Sequence, residues 1–303
     1  LAVGTPTTDG MIDLVQIEAA SRTIGAFIQS TGDKVCLVVK STVVPGTTDT
    51  FVRQIIEDES GKKIGDFGLG MNPEFLREGV AIVDFMQPDR IVLGHEDGLT
   101  LERLEELYAP WDCEKIQVNS RTAEMIKYAN NCLLATQISA TNELANIAAA
   151  IGGIDIMDVM QGVHLDGRWS PMLSGKRVSP GILSYLAPGC GFGGSCFPKD
   201  VQAMRRAGEE AGIQPHLLEA VLEINRTQPS QVVKLLAAGL GDLKDKTILL
   251  LGLAFKPGTD DIRESVSLRV IEDLDKFGAL VLLHDPIATE NCREIFPATE
   301  RRI

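Results

Sequence analysis

The chain predicts an α/β protein: an N-terminal doubly wound parallel sheet, a central region built on one long helix, and a second α/β region at the end. Three observations carry this. Val35-Cys36-Leu37-Val38-Val39 is a continuous apolar run bounded by turn residues, the signature of a strand buried on both faces. Arg121 to Ile151 contains neither Pro nor Gly and repeats apolar residues at three and four spacing. Thr247 to Leu253 is a second buried apolar run, followed by a helical pattern and a further strand.

The elements follow in order. After the first strand, Pro45-Gly46-Thr47-Thr48 breaks the run and opens a helical pattern through Ile56. Asp66–Met71 and Arg90–Leu93 read as strands, and Leu99–Leu107 as a helix. The 121–151 helix spans roughly 45 Å at 1.5 Å per residue. Its length and small-residue face predict a packing partner. A short helix is expected near Asp155–Gln161. Residues 163–197 read as loop, rich in Pro, Gly and Ser. Helices follow near 198–212 and 216–239, then a strand from Thr247, a helix over Arg263–Phe277 and a strand over Leu280–Leu283. The expected domains are 1–118, 119–215 and 216–303.

Composition narrows the function. The 303 residues are 44% hydrophobic and 23% charged, enough apolar material for real cores. A net charge of −13 argues against nucleic acid or an anionic membrane as partner. No apolar run approaches the length of a membrane span, and no signal peptide is visible at Leu1. The cysteines are scattered, form no CxxC pair, and stand beside few histidines. That predicts no metal site and a reducing, cytoplasmic setting.

The most informative run is Pro188-Gly-Cys-Gly-Phe-Gly-Gly-Ser-Cys-Phe-Pro-Lys-Asp200. Pro198 suits the first turn of a helix. Cys196 would then sit at the helix's positive end, beside Lys199, a setting that favours the nucleophilic thiolate. Asp200 follows one turn on. Glycines Gly191 and Gly193 open the backbone to close approach. A free Cys is more often a small buried hydrophobe, and Gly-Gly a plain turn.

Other clusters are weaker alone. Glu74 and Glu78 follow Asn72-Pro73 at a strand's C-terminal end, where open α/β sheets bind ligands; a solvated helix face is the bland alternative. Lys127 and Asn131 share a face of the long helix, with Glu124 nearby; an exposed polar stripe is the alternative. Lys256 and Arg263 flank a strand-to-helix turn suited to phosphates, or simply cap a helix.

Taken in order, these motifs resemble the UDP-glucose/GDP-mannose 6-dehydrogenase family of nucleotide-sugar dehydrogenases. The matching blocks are Val3–Pro6, Lys40–Thr47, Asn72–Gly79, Pro88–Arg90, Ala123–Ala129, Gly191–Asp200 and Gly252–Ser265. The resemblance implies a partial Rossmann-like NAD domain, a central long-helix dimerisation domain with the Cys loop, and a partial second Rossmann-like domain for the nucleotide sugar. It implies four-electron oxidation of a sugar alcohol by NAD, with Cys196 forming a thiohemiacetal and then a thioester. Lys127 would stabilise the oxyanion, Asn131 and Asp200 would position water, and Glu74 would act as acid/base. Thr5, Glu78, Lys199 and Arg263 would contact the cofactor. Phe75, Leu76, Tyr185, Gly191, Gly193, Phe255 and Lys256 would join Lys127 and Asn131 in contacting substrate, with Arg168 reaching a neighbouring subunit's substrate. UDP-glucose is the expected substrate, GDP-mannose or another nucleotide sugar the alternative, and a non-catalytic homologue the third reading. A homodimer through 121–151 is expected. The family's Gly-x-Gly-x-x-Gly turn after its first strand has no counterpart in residues 1–118. The chain therefore reads as a fragment lacking that half and the end of the last domain, expected to bind NAD poorly by itself.

Overall fold

The computed structural model describes residues 1–8, 10–300 and 302, with only the backbone of Thr8. The chain divides into two compact units: Leu1–Asn130 with Gln202–Gly212, and Asn131–Val201 with Ile213–Ile303.

In the first unit a small hairpin, β1 (Thr7–Thr8) and β2 (Met11–Ile12), precedes helix α1 (Val15–Ser30). Ile17, Ser21, Gly25 and Ile28 line the buried stripe of α1 at three- and four-residue spacing. Strand β3 (Cys36–Val39) follows. A π-helical stretch, Thr47–Val52, leads into α2 (Arg53–Ser60), which Gly61 ends with φ 69°. Next come β4 (Gly68–Met71), α3 (Ala81–Met86), β5 (Arg90–His95), α4 (Gly98–Tyr108) and β6 (Glu114–Val118). Asp97 caps α4 by accepting from the Thr100 N–H at 2.9 Å.

The sheet order is β3-β4-β5-β6. The pairs β3/β4 and β5/β6 are parallel, as the apolar runs predict, but β4/β5 is antiparallel. The connection between them, residues 72–89, holds the six-residue helix α3, about 9 Å long, and β5 enters from the end where β4 leaves. Close approach there needs glycine: a Cβ on Gly70 would lie 2.4 Å from the Gly94 carbonyl oxygen. The core of this unit gathers Ile17, Leu37, Val39, Phe67, Leu69, Met71 and Val92.

Helix α5 (Ser120–Ile151) leaves the first unit at Asn130 and enters the second at Asn131. It matches the Pro- and Gly-free stretch. Helix α6 (Ile156–His164) is capped by Asp155. The stretch expected to be loop contains a hairpin, β7 (Met172–Leu173) and β8 (Lys176–Arg177). Its turn residues Ser174 and Gly175 have φ 49° and 77°, the paired positive values that two-residue hairpin turns favour. A 3₁₀ turn (Gly181–Leu186) and α7 (Phe197–Glu210) follow. Helix α8 (His216–Leu240) tolerates an internal Pro229, which is buried beside Gln228.

Strands β9 (Thr247–Leu251) and β10 (Leu280–His284) pair in parallel around α9 (Val266–Lys276), and helix α10 (Thr289–Ile295) follows. Helix α9 starts later than the pattern from Arg263 suggests. Glu264 adopts φ 52°, incompatible with helix, and Ser265 becomes the cap. Val233, Leu243, Val270, Leu274 and Val281 form one apolar cluster here; Leu253, Ile262, Ile271 and Cys292 form another.

Candidate active site

The residues singled out by the sequence fall into two clusters, one in each unit. In the first unit β4 ends at Met71 and Asn72-Pro73 turns the chain out of the sheet. Glu74 follows. Its Oε1 accepts from Lys127 Nζ at 3.2 Å, and its Oε2 from the Leu76 N–H at 2.7 Å. Residues 72–78 are not helical, so Glu74 and Glu78 do not share a helix face. The Lys127 ammonium also stands 5.5 Å from the Phe75 ring centroid, while the Arg90 guanidinium stacks on that ring at 3.8 Å. Thr5 Oγ1 donates to the Thr42 carbonyl at 3.0 Å, beside the end of β3.

Lys127 and Asn131 are each only 5% exposed, so they are not an exposed polar stripe. Glu124, one turn before Lys127, is fully buried. Its two oxygens accept from the N–H groups of Gly46 at 2.6 Å and Thr48 at 2.8 Å. Burial pushes its carboxyl up to about 7; those hydrogen bonds only partly oppose the shift. Lys40 is pulled below the usual ammonium value by burial, and the Glu74 charge acts in the opposite sense.

In the second unit Cys196 directly precedes α7 and is exposed. The Asp200 N–H donates to the Cys196 carbonyl at 2.8 Å, which closes the first turn. Asp200 is 1% exposed. Its Oδ2 accepts from Asn131 Nδ2 at 2.6 Å and its Oδ1 from Lys199 Nζ at 2.5 Å. A buried carboxylate is thus held on both oxygens, one turn from a thiol. Ser195 Oγ lies 3.8 Å from Cys196 Sγ. The contrast with Cys132 is instructive: burial, with the Asp200 charge adding, pushes that thiol up to about 12. Cys132 is an inert core thiol, as its place in a helical apolar pattern implies.

The glycine turn is shaped by the chain's own atoms. A Cβ on Gly193 would lie 2.2 Å from the Glu264 carbonyl oxygen, and one on Gly194 would meet the Phe255 ring at 2.7 Å. The Gly194 N–H donates to the Arg263 carbonyl at 2.9 Å. Gly191 has φ 104°, a left-handed value. Asn225 clamps the next residue, accepting from the Phe192 N–H at 2.7 Å and donating to its carbonyl at 3.0 Å. Tyr185 and Phe192 both pack near the Phe197 ring, at centroid distances of 6.4 and 6.0 Å.

Several expected contacts are engaged within the chain. Arg263 forms a bidentate pair with Asp261, closest at 2.6 Å, and Arg168 pairs with Asp166 at 2.7 Å. Lys256 Nζ lies 5.3 Å from the Phe255 ring centroid. No sequence motif singles out Asn225, Tyr108 or the Asn72 side chain. Asn225 carried a signal, a polar residue one turn beyond Val221 on the buried side of α8. Tyr108 carried none, since its hydroxyl partner lies far off in sequence.

Three models of one family match in order: the UDP-glucose/GDP-mannose dehydrogenase family NAD binding domain over residues 1–112, its central domain over 121–227 and its UDP binding domain over 249–302. The chain is 43% identical over 98% of its length to UDP-glucose 6-dehydrogenase AglM of Haloferax volcanii, covering 67% of that protein. It is 41% identical to UDP-glucose 6-dehydrogenase TuaD of Bacillus subtilis over 95% of the chain, covering 59% of that relative. A solved UDP-glucose dehydrogenase from Pyrobaculum islandicum superposes with a TM-score of 0.87 at 40% identity, over 99% of this chain and 66% of that one. The fold is therefore the Rossmann-like α/β architecture of nucleotide-sugar dehydrogenases, and the chain belongs to the UDP-glucose/GDP-mannose dehydrogenase family. It spans about two thirds or less of the length of these relatives. Among the described residues no helix is long and apolar enough to cross a membrane.

Proposed function

We propose that the protein carrying this chain is an NAD-dependent UDP-glucose 6-dehydrogenase that oxidises the sugar C6 alcohol to a carboxylate. One observation carries the reading: exposed Cys196 stands one helical turn before buried Asp200, whose two oxygens are held by Asn131 and Lys199. A fully ligated carboxylate beside an accessible thiol suits covalent catalysis on a carbonyl.

The residues fit a dinucleotide at the sheet. Thr5 is held at the end of β3 by the Thr42 carbonyl, and Glu78 follows the neighbouring strand β4. Strand ends of an open α/β sheet face ligands. Lys199 and Arg263 would add positive charge, each now matched by its own carboxylate. When bound, NAD⁺ supplies the hydride acceptor, twice per substrate: alcohol, water and two NAD⁺ give carboxylate, two NADH and three protons.

The chain's own groups do the rest. Lys127 stabilises the alkoxide and the later oxyanions, with Glu74 as its counter-charge. Cys196 Sγ adds to the aldehyde carbon, and the resulting thiohemiacetal keeps the aldehyde from escaping. The second oxidation leaves a thioester on Cys196. Asn131 and Asp200 are proposed to position the attacking water and Glu74 to serve as acid/base; the water oxygen bonds the thioester carbon, the C–S bond breaks, the thiol returns and the carboxylic acid gives up its proton. Phe255, Lys256, Tyr185, Phe75, Leu76 and the Gly191–Gly193 turn are the proposed contacts to the nucleotide sugar. Arg168 is proposed to reach the neighbouring subunit's substrate.

We also propose three domains, 1–118, 119–215 and 216–303, a cytoplasmic location, and a homodimer through 121–151. Leu133, Leu144, Ile147 and Ile151 are exposed on that helix; sedimentation equilibrium giving only monomer at micromolar concentration would remove the dimer. NADH formation with UDP-glucose and with GDP-mannose in the full-length protein tests the function. Faster turnover of UDP-glucose is expected. Preference for GDP-mannose reassigns the substrate, and no NADH from any nucleotide sugar leaves a non-catalytic homologue.

A further inference from the structure

Asn72 engages every polar atom it has. Its N–H donates to the Val39 carbonyl at 2.9 Å and Nδ2 to the Val92 carbonyl at 2.8 Å. Oδ1 accepts from Lys40 Nζ at 2.7 Å and from the Tyr108 hydroxyl at 2.5 Å. Its carbonyl accepts from Lys40 Nζ at 3.3 Å. The side chain is 2% exposed, and Tyr108, the last residue of α4, is buried at 8%. One residue therefore ties β3, β5 and α4 to the first position after β4.

What comes next gives the cluster its meaning. Pro73 fixes its own φ, and Glu74 follows. Few torsions separate the pinned Asn72 backbone from the Glu74 carboxylate that meets Lys127. Among the described residues neither Lys40 nor Tyr108 hydrogen-bonds Glu74. Both hold Asn72, and Lys40 additionally feels the Glu74 charge. A cluster needed only for folding is met as well by apolar side chains, since buried polar groups are costly unless fully satisfied. Here the satisfied network converges on the residue that launches Glu74.

We propose that Lys40, Asn72 and Tyr108 are positioning residues for Glu74, setting the geometry of the Glu74–Lys127 pair. The proposal rests on the reading of Glu74 as acid/base. The test uses Tyr108→Phe and Lys40→Met in the full-length protein, alone and combined with Glu74→Gln. Tyr108→Phe removes one oxygen, and a thermal melt verifies that each variant is folded. Each single variant is expected to lower kcat roughly three- to tenfold, the range of coupled contacts, with KM for UDP-glucose little changed. In the Glu74→Gln background neither is expected to lower kcat further. Wild-type kcat in both variants, or an equal loss in both backgrounds, would overturn the proposal.

A second measurement does not depend on turnover. Acetylation of Lys127 by acetic anhydride, followed by peptide mass spectrometry, is expected to be faster in both variants than in the wild type. An unchanged rate in both also overturns the network's role. If labelling responds while the wild type makes no NADH from any nucleotide sugar, the network stands and the functional reading falls.

Discussion

Glu124 shows how one buried carboxylate shapes the first unit. Among the described residues no cation pairs with it; its oxygens accept from the Gly46 and Thr48 N–H groups. Arg121 pairs with Asp49 at 3.0 Å nearby, and the Asp49 charge adds to the upward shift. With the folded value near 7 and the reference value 4.5, the folded state binds more protons than the unfolded one between those pH values. Stability from this group is therefore fully present below about pH 4.5 and is lost as pH rises through 7. The change is of order 3 kcal/mol. Urea titrations across this range are expected to show that slope in the wild type and a flatter one in Glu124→Gln. Equal slopes would remove Glu124 as its source. For Lys127, one turn on, periodicity alone offers only an exposed polar stripe; the family resemblance is what singles it out. Only the packing of α5 on the strand ends reveals it as buried.

The glycine turn makes the same point for an element. Gly193 meets the Glu264 carbonyl oxygen where a side chain has no room. Gly193→Ala is expected to destabilise the second unit by about 1–3 kcal/mol, the usual cost of overpacking, and to depress turnover. Calorimetry and NADH assays read both; an unperturbed melt and full activity would contradict the tight docking. The sequence made the elements themselves legible wherever period and punctuation agreed. The Pro- and Gly-free run became α5 almost residue for residue, and Pro198 marks the start of α7. What it did not show was non-local. The antiparallel step at β4/β5 is a matter of strand pairing across an 18-residue connection, and the late start of α9 follows from the left-handed Glu264. The partners of Asn72 lie 20 to 36 residues away in sequence, beyond any periodicity argument. Arg263 and Lys199 are local cases: each pairs with a carboxylate one or two residues away in sequence, Asp261 and Asp200 respectively.

At the scale of the whole molecule, the proposed chemistry draws on two clusters, one in each unit: Glu74 with Lys127, and Cys196 with Asn131 and Asp200. The central claim is that Cys196 carries the substrate covalently between two oxidations. The most direct test counts NADH per UDP-glucose consumed by the full-length protein, in the wild type and in Cys196→Ala. A ratio of two, with UDP-glucuronate as product, is expected for the wild type. Cys196→Ala is expected to form no UDP-glucuronate at an appreciable rate. A Cys196→Ala protein that still yields two NADH and UDP-glucuronate at the wild-type rate would contradict the claim.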